Sequence, residues 1–447
     1  MTILHLPVAY LPWTTGGREV YCHSLARALG ELGIRSVVAI HQDPSGREPL
    51  GWHEHDGVKV AVLPPLRDLG SRKTWSTREF SEVPGFDGLL SEVRPDAVHF
   101  HDQGGGASLS HLRLAKQRHL PTVLTYHSPG QTCPQTELLR CGRTPCDGEL
   151  IVNRCTSCRL QSAGVPRWMS RVLGTADFPG VDPWSQSRVS RVLSTRSVIR
   201  LFRESLDEFT DLADIVVVLA DWARDVWLKN GCPNRKLRLV RSGGSTERAL
   251  DRGPRFPNRK VLRIGCLGRC DRSKGFHVLI DAVKTLDRLP LEVHFLGPYW
   301  ESPYGLALKG RIASDRRFLE PRLVPHSQLL GQLAELDLVV IPSVWLETGP
   351  LTLFDAWSAG VPVVGSRLGG LAETIREGVN GVLFTPGDPT ELGKIISRFV
   401  DEPESLEALR QGVLSQRAGP PRTFREVAAE MAPIYRSLSH RYAEVLG

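Results

Sequence analysis

A chain of 447 residues, 41% hydrophobic and 23% charged, exceeds what one core usually supports, so two domains are expected. Its formal charge of +7 favours anionic partners such as nucleotides, phosphates or anionic lipid headgroups, and a nucleic-acid partner is not expected. The opening residues MTILHLPVAYLPW lack a basic segment followed by an apolar one, and no apolar run reaches the ~20 residues of a membrane span, so a cytoplasmic location is expected.

In chain order, TILHLPVAY reads as a strand that hands over to a helix across residues 16–33, opened by Gly16 and Gly17. RSVVAIH, GVKVAVL, DAVHFH, PTVLTYH and DIVVVLA read as further strands. Residues 164–207 are less regular and rich in Arg and Ser. There Val192, Arg196, Ile199 and Arg203 fall on one helical stripe, so apolar and polar faces do not segregate, and a surface helix is expected rather than a membrane anchor. After RGPRFPNRK, residues 252–260, the rhythm restarts with VLRIGCLG and a helix over 275–289. LEVHFLG, LDLVVIP, VPVVG and GVLF follow, and residues 423–445 read as one or two helices. Such alternation predicts an α/β chain with parallel sheets and right-handed crossovers. The restart predicts two Rossmann-like domains facing across a cleft, residues 1–250 and 251–422, with 423–447 as a helical segment.

Three stretches bear the chemistry. Gly16 and Gly17 open a helix whose unpaired N–H groups and dipole suit an anion, although tight turns use such pairs too. In GCLGRCDRSKGFHVLI, Arg269 and Lys274 flank a strand-to-helix loop, where a two-pronged donor and a compact charge can grip a diphosphate. Two solvated basic residues are the plain reading of the same loop. In ETGPLTLFDAWSAGVPVVG, Pro350 suits the first helical position and Gly360 the residue past the end. Glu347 then sits in the loop and Asp355 on the second turn of an apolar helix, where each needs a donor. A salt bridge or cap would satisfy them; so would hydroxyl pairs, and phosphate donors beside diol acceptors make a nucleotide-sugar site.

The stretch CPQTELLRCGRTPCDGELIVNRCTSC places Cys133, Cys141, Cys146, Cys155 and Cys158 together. A closing C-x2-C with two or more cysteines upstream suits tetrahedral thiolate ligation of Zn²⁺, which a reducing compartment favours over disulfides. An iron–sulfur cluster lacks a diagnostic spacing here. The scattered Cys22, Cys232, Cys266 and Cys270 read as packing residues.

Taken together, GRCDRSKG, ETGPLTLFD and SAGVPVVGSRLGGLAETIREGVNGVLFTPGD resemble the donor domain of retaining, family 4 glycosyltransferases (group 1) of GT-B fold. GGREVYCHSLARALGELG, DAVHFHD and TVLTYHS are similar to the family's N-terminal half. The resemblance implies a C-terminal helix that returns to the N-terminal domain, a nucleotide-diphosphate sugar as donor, and a glycan, lipid-linked or small-molecule acceptor. It implies that Arg269 and Lys274 hold the diphosphate, with backbone at Gly16, Gly17, Gly349, Pro350 and Leu351. Glu347 would bind donor-sugar hydroxyls, Asp355 the ribose, and His127 would lie near donor sugar and acceptor, although a satisfied strand-end histidine is its plain reading. Catalysis would need no divalent metal and would retain configuration by front-face attack. A subset of the family carries a similar cysteine-rich insertion, matching Cys133, Cys146, Cys155 and Cys158 with Cys141 as the spare, around a structural Zn²⁺. Asp355 stands where the family has glutamate, and RSGGSTE replaces a Pro-Asn-Gly turn. A GT-B epimerase or hydrolase and a degenerate sugar-nucleotide-binding protein are the competing readings. A glycolipid acceptor would bring the chain to the inner membrane face.

Overall fold

The computed structural model describes residues 1–14, 16–43, 45–102, 107–244, 255–286, 289–415 and 422–446. They form two compact units, Met1–Arg241 with Val427–Gly447, and Ser242–Glu426. The boundary expected at 250/251 lies outside the described residues, as do the last three residues of RSGGSTE.

The first unit is built on an eight-stranded sheet. Its strands are β1 (Thr2–Leu6), β2 (Arg35–His41), β3 (Gly51–His55), β4 (Val58–Leu63), β5 (Ala97–His101), β6 (Thr122–Tyr126), β7 (Ile215–Val218) and β8 (Leu237–Leu239). Their order is β8-β7-β6-β5-β1-β2-β4-β3. All pairs are parallel except β3 with β4. The inner strands read as continuous apolar runs because both faces are covered, as parallel sheets require. Strand β3 escaped the sequence reading because GWHEH is polar and lies exposed at the sheet edge. The two-residue Asp56-Gly57 turn sets its pairing, both residues being left-handed at φ 46° and 79°.

The region read as a surface helix proves to be two helices, of which the first has no buried residue and the second is part of the core. One helix, Arg188–Leu193, ends at Ser194, and a second, Thr195–Leu212, begins at once. The stripe joining Val192 to Arg203 therefore crosses a break and does not describe one face. Within the second helix Val198 is buried, and Ile199, Phe202, Leu206 and Phe209 join the core cluster of Phe100, Leu124 and Val216. Arg196 turns to Asp177 at 2.6 Å and Arg203 to Asp207 at 2.6 Å. Apolar and charged faces do segregate.

The second unit carries five parallel strands, β9 (Leu262–Leu267), β10 (Leu291–Leu296), β11 (Leu338–Ile341), β12 (Val363–Ser366) and β13 (Gly381–Phe384), in the order β10-β9-β11-β12-β13. Helices Phe276–Lys284 and Pro389–Asp401 supply Phe276, Leu279, Leu392, Ile396 and Phe399 to its core. Each unit is thus a Rossmann-like α/β domain.

A single helix, Phe424–Leu446, ends the chain, and from Val427 onward it belongs to the first unit. The fully buried Tyr435 hydroxyl lies 2.7 Å from His99 Nδ1, while Tyr442 bonds Asp214 at 2.9 Å. Among the described residues no helix is long and apolar enough to cross a membrane. Tyr435→Phe leaves an interior imidazole nitrogen short of a partner and should lower stability by about 1–3 kcal/mol in urea denaturation; an unchanged midpoint would show that this hydrogen bond does not fasten the helix.

Candidate functional site

In the second unit the site grows from the loop after β9. Gly268 (φ 129°) opens it and Gly275 (φ 70°) closes it, after a 3-10 turn at Arg272–Lys274. A Cβ on Gly275 would sit 1.8 Å from the Pro342 carbonyl oxygen, so only glycine lets the loop press on the end of β11. Asp271 caps the turn by accepting the Ser273 N–H at 2.9 Å, and the Ser273 carbonyl accepts from Val344 N at 2.8 Å. These contacts fix where Lys274 points.

It points at Glu347. Lys274 Nζ lies 2.7 Å from Glu347 Oε1, and the same oxygen accepts from Ser343 Oγ at 2.7 Å and Trp345 Nε1 at 2.9 Å. The Trp345 ring also lies under the ammonium, 5.4 Å from its centroid. Glu347 is only 6% exposed. Burial pushes its carboxyl up, but the charge and hydrogen bond of Lys274, with those of Ser343 and Trp345, outweigh burial and hold it below the usual glutamate range. Sequence reasoning missed Ser343 and Trp345. They precede Glu347 at alternate positions of PSVWLE, and that spacing in an extended loop was the available signal.

The following helix spans Leu351–Ser358, with Pro350 as its N-cap (φ −67°, ψ 113°) rather than its first helical residue. The expected start is one residue early, because extended ψ at Pro350 delays the first turn. Gly349, Pro350 and Leu351 lie half-buried two to four positions beyond Glu347, and the half-buried Asp355 follows on the second turn. Gly360 (φ 71°) stands just past the helix end, as expected. Arg269 is the outlier of the set: its side chain is half exposed, and its nearest charge, Asp271, is 3.8 Å away.

In the first unit, Gly16 is the N-cap of helix Gly17–Glu31 in extended conformation (φ −156°) and has no side chain with which to cap it. A Cβ there would meet Glu19 Oε2 at 2.5 Å, so a larger residue at Gly16 would require the end of that side chain to move. Arg18 joins Glu19 at 3.0 Å and Asp102 at 3.4 Å. Asp102, buried and left-handed at φ 71°, accepts from the backbone N–H groups of His127 and Ser128 at 3.1 and 3.2 Å. It also accepts from Ser128 Oγ at 2.9 Å and Gln131 Nε2 at 3.0 Å. Burial pushes its carboxyl up, while Arg18 and Ser128 oppose that push.

His127 is half-buried and heads a chain of imidazoles. Its Nε2 lies 3.1 Å from His101 Nδ1, His101 Nε2 lies 3.1 Å from His5 Nδ1, and His5 Nε2 lies 3.3 Å from Ser36 Oγ. Burial, with Arg18 nearby, lowers His127 to about 3, and burial lowers His5 to about 3. His99 and His101 are driven down by burial and by neighbouring imidazoles. All four are therefore neutral near pH 7. Asp102, Arg18, His5 and His101 were not singled out from sequence, although HFHD at alternate strand positions marked one face.

Of the five clustered cysteines, Cys133 is buried and the others are half-buried. Cys155 and Cys158 lie on helix Val152–Ser162, and the Cys141 N–H donates to Cys158 Sγ at 3.0 Å. Burial pushes the Cys155 and Cys158 thiols up to about 12 and about 11, with Cys133 adding to both. The donor set suits zinc. Among the described residues, however, no three of these sulfurs lie within 4.8 Å of one another, whereas a tetrahedral site with Zn–S of about 2.3 Å spaces them about 3.8 Å apart. Cys22, Cys232, Cys266 and Cys270 are all buried, as packing residues are.

The chain matches the family described as Glycosyl transferase 4-like domain over residues 16–243 and that described as Glycosyl transferases group 1 over residues 261–402. It belongs to this glycosyltransferase family. It is 33% identical over 181 residues to D-inositol 3-phosphate glycosyltransferase 1 of Catenulispora acidiphila, a match over 38% of this chain and 43% of that protein. Against the glycogen synthase of Mycobacterium tuberculosis it is 25% identical over 97% of this chain and 94% of that one. The Anabaena protein HepE, solved in complex with UDP-glucose, has the same fold, with a TM-score of 0.62 and 16% identity over 98% of this chain and 100% of that chain.

The imidazole chain has a consequence in acid. Below the ordinary histidine value of 6.5 the unfolded chain takes up protons that His5 and His127 refuse until about pH 3. Stability is thus complete above pH 6.5 and falls on acidification, by about 1.4 kcal/mol per pH unit for each imidazole. Urea midpoints should drop by several kcal/mol equivalents between about pH 7 and about pH 5; equal midpoints would mean the imidazoles accept protons when folded.

Proposed function

We propose that this glycosyltransferase moves a sugar from a uridine diphosphate donor, of the UDP-glucose type, to a glycan or lipid-linked acceptor with retention of anomeric configuration. The observation that carries the reading is the buried Lys274–Glu347 pair, a cation and an anion held side by side at 2.7 Å beside a helix start. An ammonium ion matches the diphosphate, and a carboxylate matches the sugar hydroxyls; one residue type could not serve both. The UDP-glucose complex of the similarly folded HepE supports the choice of donor.

In this reading Lys274 neutralises the charge that grows on the departing phosphate, with Arg269 swinging in from solvent as a two-pronged donor. The backbone N–H groups of Gly349 and Leu351 add donors to the phosphate, Pro350 having none, and Gly16 and Gly17 offer N–H groups at a helix start in the first unit. Glu347 orients the sugar, and Asp355 takes the ribose, its shorter side chain reaching through a bridging water. The leaving phosphate deprotonates the acceptor hydroxyl as attack occurs on the same face, so no divalent ion is required for the step. A neutral His127 serves as a hydrogen-bonding partner for sugar hydroxyls and not as a charged acid. Cys133, Cys146, Cys155 and Cys158 would hold a structural Zn²⁺ were their sulfurs brought together, and the ordered loop would then shape the acceptor side.

UDP release that depends on an added acceptor tests transfer against hydrolysis or epimerisation, which need none. Lys274→Ala and Glu347→Ala should each lower kcat/KM by a factor corresponding to about 2–3 kcal/mol. Asp355→Glu should retain turnover. Near-normal kcat/KM in both alanine variants would remove the assignment. Cobalt substitution of the thiolate site should give sulfur-to-metal charge-transfer absorption that Cys158→Ser abolishes.

A further inference from the structure

Far along the first sheet, at its exposed edge, three side chains converge that the transfer reaction does not use. His23 projects from helix Gly17–Glu31, His55 ends strand β3, and Asp56 forms the turn to β4. One ligand atom from each lies within 4.8 Å of the other two. His23 Nε2 is 3.6 Å from Asp56 Oδ2, and His55 Nε2 is 3.8 Å from the same oxygen. Both distances are too long for hydrogen bonds. They approach the spacing of ligands that share one ion, since two donors about 2.0–2.1 Å from a tetrahedral metal stand about 3.3–3.4 Å apart.

We propose that His23, His55 and Asp56 bind a divalent transition-metal ion of the Zn²⁺ type, clipping the β3–β4 turn to helix Gly17–Glu31. Two imidazoles and one carboxylate are a donor set suited to that class of ion and too poor in oxygen for Ca²⁺ or Mg²⁺. The second shell is in place: the Tyr10 hydroxyl lies 2.8 Å from His23 Nδ1. With metal on Nε2, that Nδ1–H donates to the tyrosine oxygen, which fixes the ring and raises its basicity. Access is graded, with side-chain exposures of 9% at His23, 26% at His55 and 61% at Asp56, so an ion enters from solvent and keeps water in its remaining position. The interior group His5, Cys22 and His101 differs, because its two nitrogens already hydrogen-bond each other at 3.1 Å and all three residues are buried.

The test uses the full chain, titrated with Co²⁺ and with Zn²⁺. Cobalt at this site should give weak visible bands without the sulfur-to-metal absorption of a thiolate site, so the two sites are told apart in one spectrum. Asp56→Asn keeps a residue that tolerates the left-handed turn while removing the carboxylate. It and His55→Gln should each weaken Zn²⁺ binding at this site more than tenfold and reduce the metal-dependent rise in thermal midpoint. Tyr10→Phe should weaken it about 10–100-fold. Binding isotherms and midpoint shifts in Asp56→Asn and His55→Gln equal to those of the unsubstituted chain would overturn the site, as would cobalt spectra showing thiolate-bound metal alone.

Discussion

An ionised carboxylate buried in protein must be met by donors or give up its charge, and the second unit is arranged around one such group. Glu347 keeps its charge because Lys274, Ser343 and Trp345 all address the same oxygen. Each of these partners is itself held by backbone that has little choice of position. Lys274 is fixed by a loop whose glycine presses on the end of β11, and Ser343 and Trp345 lie in the segment leaving that same strand. The order of strands in the sheet thus sets the geometry of the ion pair.

The first unit solves the opposite problem. There the buried groups are imidazoles, and they persist by remaining uncharged and bonding to one another, from Ser36 through His5 and His101 to His127. Each ring between two others must donate from one nitrogen and accept at the other, so the proton positions along the chain are set together. Asp102 serves this arrangement from the side, fastening the backbone of His127 and Ser128 while Arg18 balances its charge. A half-buried histidine that is neutral and fixed in orientation is suited to recognising hydroxyl groups.

Much of this could be read in advance. Alternation of apolar runs with helical stretches identified both sheets, and the motifs that singled out Lys274 and Glu347 contain the two members of the second unit's buried ion pair. What escaped was of two kinds. Strand β3 is polar and lies at a sheet edge, where pairing comes from the Asp56-Gly57 turn and leaves no periodic trace in the side chains. Helix Thr195–Leu212 was misassigned because a break at Ser194 shifts the phase of the pattern, so residues counted as one stripe belong to two helices. Hydrogen-bond partners far apart in the chain, such as Arg18 with Asp102 or His5 with His101, depend on which strands become neighbours. No local spacing encodes that.

The return of Phe424–Leu446 to the first unit makes that unit discontinuous in the chain. Its sheet is made before the second unit, yet the helix that covers His99 is made after it. On the ribosome, therefore, the earlier-made unit must wait, incompletely covered, while the later-made one folds. The chain passes from one unit to the other twice, after Arg241 and before Val427, so no single cut releases either unit whole.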